Sequence, residues 1–98
     1  MSKELRMNFV FTALLKDNDL QPEDQDFEFP ACFIVEAESK AKALSWGNDV
    51  TLEHCLRNPA HKLIDTVVES SNNYAAHVLE KLPKIKYGFM PSEEYLGW

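Results

Sequence analysis

Residue types that could do chemistry concentrate in two stretches of the chain. The first is acidic. Asp17, Asp19, Gln21, Glu23 and Glu28 fall at positions 1, 3, 5, 7 and 12 of a calcium-loop spacing, where oxygen ligands could surround a hard cation. Two residues break that pattern. Pro22 stands where the loop needs Gly for a sharp turn, and Asp24 stands where an apolar residue would dock the loop. The flanks read as strands, whereas the calcium motif requires helices. The preferred reading is a solvated acidic hairpin loop over residues 17–26, with at most weak cation attraction.

The second stretch holds His54, Cys55 and His61. Neighbours on a helix project about 100° apart, so His54 and Cys55 do not form a base–nucleophile pair. Zinc needs three or four ligands, and only Cys55 and His61 fall near each other across the Asn58-Pro59 bend. His77 has no partner visible in the sequence. Structural or surface histidines are the preferred reading, with neither a metal nor a cofactor.

Other reaction classes lack their parts. There is no Gly-x-Ser-x-Gly elbow, and Gly47, Gly88 and Gly97 are too scattered for a phosphate loop. Carboxylates are numerous, but nothing places two of them in an apolar pocket that would separate their pKa values. The sequence therefore leans away from an enzyme and assigns no catalytic residue. The alternative is a small-molecule-binding protein or small enzyme with a pocket between sheet and helices. His54, His61, His77, Tyr87 and the carboxylates would then supply its polar groups.

Charge and composition narrow the partners. The chain has 98 residues with 10 Lys+Arg against 16 Asp+Glu, a net charge of −6, and is 45 % hydrophobic. That is one ordinary globular domain spanning residues 1–98. The charge argues against duplex nucleic acid, whose phosphates select clustered Lys and Arg. The one basic cluster, Lys81, Lys84 and Lys86 beside Tyr87 and Phe89, reads as lysines guarding a strand edge. No run approaches the ~18 apolar residues of a membrane span. The first fifteen residues resemble a signal peptide only faintly: Asn8 and Thr12 interrupt the apolar part, and no small-residue cleavage site follows. A cytoplasmic protein is expected, with Cys32 and Cys55 as buried free thiols.

The elements that must position these residues follow from periodicity. Residues 7–15 and 27–37 read as two strands of an antiparallel hairpin, the second central because both its faces look buried. Ser39 is a plausible N-cap for a helix ending near Arg57, stopped by Asn58-Pro59. On its wheel Ala41, Leu44, Leu52, Cys55 and Leu56 form the face expected on the sheet. Residues 60–82 keep helical spacing, yet Ile64, Thr66, Val67 and Val68 are β-branched and Ser70 to Asn73 reads as a break. A strand at 62–69 and a short helix at 73–81 are favoured over one long helix. A last strand at 85–90 precedes a tail at 91–98. The fold class is α+β: about four mainly antiparallel strands with one long and one short helix on one face, in the order ββαβαβ. A ferredoxin-like or related two-layer sandwich fits that order.

Three surface features point to protein–protein contact. The helix carries a second apolar sector, Ala43, Trp46, Gly47 and Val50, which one sheet would not cover. The tail packs Tyr87, Phe89, Met90, Tyr95 and Trp98 into twelve residues. Eight of the 16 acids lie in residues 17–38 without an intervening Lys or Arg, including Asp17, Asp19, Glu23, Asp24, Asp26 and Glu28. A homodimer is expected, joined by Ala43, Trp46, Gly47 and Val50 or by Tyr95 and Trp98. The acidic end would face any basic protein partner.

Overall fold

Alternation along the first two strands builds the centre of the sheet. In β1 (Met7–Asp17) Phe9, Phe11, Ala13 and Leu15 are buried on one face, and in β2 (Glu28–Ala37) Ala31, Phe33, Val35 and Ala37 join them. The strands pair antiparallel with Phe11 opposite Phe33, their ring centroids 5.1 Å apart. The hairpin closes where the Asp17 N–H donates to the Phe27 carbonyl at 2.8 Å. This computed structural model describes residues 6–97.

Helix α1 (Lys40–Arg57) begins at Ser39, whose hydroxyl accepts the Lys42 N–H, and ends at Asn58. It returns the chain to β3 (His61–Ser70), which pairs antiparallel with the other side of β1. A 3-10 turn (Ser71–Asn73) and short helix α2 (Ala76–Leu79) lead to β4 (Lys84–Lys86), parallel to β2. Helix α3 (Glu93–Leu96) follows. Among the described residues the protein is thus a small α+β domain with a four-stranded mixed sheet, in the order β3-β1-β2-β4, and three helices. A ferredoxin-like arrangement is not confirmed by that order. Residues 60–82 resolve as strand then short helix, because the β-branched run extends and pairs with β1.

Two expectations are corrected. The helices do not share one face. β3 and β4 occupy opposite edges, so the 71–83 connection must cross the sheet, and it crosses the side away from α1. Tyr74 lies there beside Glu69, Thr12 and Cys32, and burial raises its pKa, with the Glu69 charge adding to the effect. Val10, outside the main core cluster, is only 1 % exposed on this side. Cys32, whose thiol is 3.4 Å from Thr12 Oγ1, is therefore separated by the sheet from Cys55 on α1, and both thiols are free.

The second correction concerns α1. Its buried residues are Ala43, Gly47, Val50, Thr51 and His54. Ala41, Leu52 and Leu56 are exposed, and Leu44 and Cys55 lie at the margin of the core. The cause is close approach. A Cβ at Gly47 would overlap the Phe11 ring, so the helix docks through its small residues and lets Phe11 fill the space beneath. Ala43, Gly47 and Val50 are consequently core, not an interface.

Candidate functional site

The end of α1 and the start of β3 bring two histidines together across the short Asn58-Pro59-Ala60 connection. His54, last of the buried residues on α1, is 5 % exposed. Its Nε2 lies 2.9 Å from His61 Nδ1, on the first residue of β3. On its other side, His54 Nδ1 meets Glu93 Oε1 at 3.0 Å, from the first turn of α3. His61 Nε2 in turn faces Asp17 Oδ2 at 3.5 Å, at the end of β1. Four titratable side chains from four elements thus form one line: Asp17, His61, His54, Glu93. Asn58 braces it, its Nδ2 donating to Glu93 Oε1 at 2.7 Å and to the His54 carbonyl at 3.0 Å. Phe29 packs edge-on against His61, with centroids 5.1 Å apart.

The contacts assign the protons. An ionised carboxylate only accepts, so His54 carries its proton on Nδ1 and presents a lone pair at Nε2. That lone pair accepts the Nδ1–H of His61. Protonating both rings across the 2.9 Å contact would set two N–H groups head to head. Burial lowers the His54 pKa, against the opposing pull of Glu93. The pair borders a cleft of about 520 Å³ also lined by Phe29, Cys32, Lys81 and Leu82.

A second feature lies on the other flank of the same helix end. Leu52 and Leu56 are 50 % and 76 % exposed, and with Cys55, Lys62 and Leu63 they line an apolar groove between α1 and β3. Ile64 is 45 % exposed at the β3 irregularity, and Val67, 48 % exposed, faces the side of the sheet away from α1. β3 is an edge strand, and its Thr66 N–H donates to the Asp65 carboxylate at 2.9 Å. Burial raises the Cys55 pKa, so its thiol is not activated for nucleophilic attack.

The remaining sequence-predicted residues are dispersed. Trp46 packs at a tilt against Tyr87, with centroids 5.8 Å apart, and donates its indole N–H to the Phe89 carbonyl at 2.9 Å. The half-exposed Tyr95 donates its hydroxyl to the Lys84 carbonyl at 2.7 Å, and Leu96 enters the core, so the tail docks on its own chain through residue 96. Trp98 lies outside the described residues. Asp19, Glu23, Asp24, Asp26 and Glu28 are exposed, whereas Asp17 turns to His61. Asp17 Oδ1 also accepts the Asp19 N–H, and Asp24 Oδ2 accepts the Gln21 N–H, so these carboxylates fold the loop on itself. His77 is exposed on α2, away from any other histidine contact found among the described residues.

Sequence reading missed the His54–His61 pair. Its signal was available in the spacing 43, 47, 50, 54, a small-residue stripe that ends on a histidine just before the helix stop. No family model, no curated protein and no solved structure matches the chain. Among the described residues, no group of three or more His, Cys, Asp or Glu is placed to hold a metal ion, and no helix is long and apolar enough to cross a membrane.

Proposed function

We propose that this protein works by protein–protein contact, as a homodimer joined through the groove between α1 and β3. The observation that carries the reading is the exposure of Leu52 and Leu56 on a helix whose opposite side is fully docked. Contiguous apolar surface beside an unpaired strand edge is the usual mark of an interaction site. The contact surface expected at Ala43, Gly47 and Val50 moves to this flank.

The test is analytical ultracentrifugation of the wild type and of Leu52→Glu/Leu56→Glu. Both leucines point away from the core, so the variant should keep the wild-type circular dichroism spectrum. A wild-type dimer that the double substitution converts to a folded monomer supports the proposal. A wild type that stays monomeric at all accessible concentrations overturns it.

The acidic loop 17–26 and the start of β2, with Asp19, Glu23, Asp24, Asp26 and Glu28 in solvent, remain the surface proposed for a basic protein partner. A second reading is favoured by the imidazole pair at the cleft: a ligand site whose occupancy is linked to the proton shared by His54 and His61. Chemical-shift mapping of both imidazoles during a small-molecule screen tests it. Hits that leave both rings unmoved count against it.

A further inference from the structure

β2 is ten residues long, but β4 covers its outer side only at Ile34, Val35 and Glu36. The rungs show which backbone groups face outward. The Ile34 N–H donates to the Pro83 carbonyl at 2.8 Å and the Tyr87 N–H to the Glu36 carbonyl at 2.9 Å. Even-numbered residues of β2 therefore point their backbone groups away from β1. Two residues further back, the next rung would bring an N–H of residue 83 to the Cys32 carbonyl. Residue 83 is proline and has no N–H, so the ladder stops. Among the described residues no strand reaches Pro30 or Cys32 on that side. The Cys32 N–H and the carbonyls of Cys32 and Pro30 thus form a short open edge.

The cleft of about 520 Å³ that borders the imidazole pair runs along this edge. Its walls come from the two faces of the sheet. Leu96 stands on the core side, and Lys81 and Leu82 belong to the crossing on the other side. A slot with backbone donors and acceptors on its floor and apolar side chains on its walls takes an extended chain by strand addition. The charges at its two ends differ. At the loop end Asp26 and Glu28 are exposed, within a stretch from residue 17 to 38 that holds no Lys or Arg. Lys16 lies opposite Glu28, but on β1, one strand farther from the slot. At the inner end the exposed residue is Lys81.

We infer that the open edge of β2 binds an extended segment of a partner protein, apolar at its inner residues and carrying Lys or Arg at its loop-side residues. A cation at the loop end meets Asp26 and Glu28, whereas one at the inner end meets Lys81 and is rejected. The inference rests on the basic-partner reading above and gives that partner a conformation and a seat. The open part of β2 and the edge strand β3 lie on opposite sides of β1, so the slot stays accessible in the proposed dimer.

The probe is the synthetic peptide acetyl-Val-Thr-Val-Thr-Lys-Lys-amide together with its reverse sequence, so that either strand direction brings the lysines to the loop. Binding to the isotope-labelled full chain is followed by NMR up to millimolar peptide. At least one sequence should bind and protect the Cys32 amide from solvent exchange. N-methylation of every second residue blocks one side of an extended peptide, so one of the two alternating patterns should abolish binding and the other spare it. Asp26→Asn/Glu28→Gln should weaken binding about two- to thirtyfold, the effect of losing two exposed charge pairs. Binding that both methylation patterns block or both tolerate, or that leaves the Cys32 amide unprotected, overturns strand addition. A peptide with Glu in place of Lys that binds equally well overturns the stated charge of the partner. If neither lysine peptide binds while polylysine still shifts the amides of residues 17–28, the seat is overturned and the basic-partner reading stands. If polylysine also leaves those amides unmoved, both fall.

Discussion

Replacing Gly47 with Ala tests the packing on which the exposure of Leu52 and Leu56 depends. In a solvent-facing helix the change should stabilise, because Gly costs about 1 kcal/mol relative to Ala in a helix interior. Here the added methyl would overlap the ring of Phe11, which is fully buried and packed 5.1 Å from Phe33 between centroids. Either the ring gives way and loses part of that contact, or α1 lifts from the sheet. Overpacking a tight core costs about 1–3 kcal/mol, and displacing an aromatic pair adds about 0.5–1.5 kcal/mol. Set against the propensity gain, the net effect is a loss of about 0.5–3.5 kcal/mol. For a domain of this size the middle of that range, about 2 kcal/mol, lowers Tm by roughly 8–16 °C. Urea unfolding followed by circular dichroism, with Ser45→Ala on the exposed side of the same helix as the control, measures it. A Gly47→Ala protein more stable than wild type would refute the docked face and, with it, the placement of the groove leucines.

Two further predictions concern the histidine line. Because the folded His54 pKa lies below its ordinary value near 6.5, the unfolded chain takes up a proton that the folded chain resists. The stability tied to His54 is therefore complete above about pH 6.5 and falls as pH drops through that value toward the lowered folded one. Denaturant midpoints between pH 5 and 8 should show a slope that His54→Gln flattens, whatever that variant does to absolute stability; parallel curves would contradict the assignment. Glu93, His61 and Arg57 are the charged and titratable groups that act on the ring, so the difference reports His54 together with its contacts to Glu93 and His61. Asn58→Ala removes the donors to the Glu93 carboxylate and the His54 carbonyl and should cost about 1–2 kcal/mol, read as a lower midpoint at constant m.

The boundaries of α1 were legible because they rest on local chemistry. Ser39 satisfies the Lys42 N–H, and Asn58-Pro59 cannot continue the helix. β3 was legible for a similar reason, since Ile64, Thr66, Val67 and Val68 are stiff at χ1 and favour extended backbone. The 71–83 crossing had no local signal. It follows from β4 pairing with β2 at the far edge, a long-range choice that residues 71–83 do not encode by themselves. β4 is shorter than expected because Gly88, at φ 87°, turns the chain after Tyr87 has made its bond to the Glu36 carbonyl.

The face of α1 and the histidine pair were lost for the same reason. A helical wheel weighted by hydrophobicity selects Leu44, Leu52 and Leu56 as the core stripe, since large side chains remove more area from water. A helix that approaches a sheet bearing Phe9, Phe11 and Phe33 obeys a different constraint: the strands already fill the volume, and close packing admits only Ala43, Gly47, Val50 and Thr51. Once that stripe is taken as the docked one, its next position is His54, carried into the interior where the chain turns into β3. His61, Asp17 and Glu93 then lie within reach because each stands at the end of an element that borders the same corner. The leucines, displaced from the core, are left on the flank of β3. One exchange of small for large residues in the interior thus both assembles the imidazole pair and exposes the groove through which we propose that the protein associates.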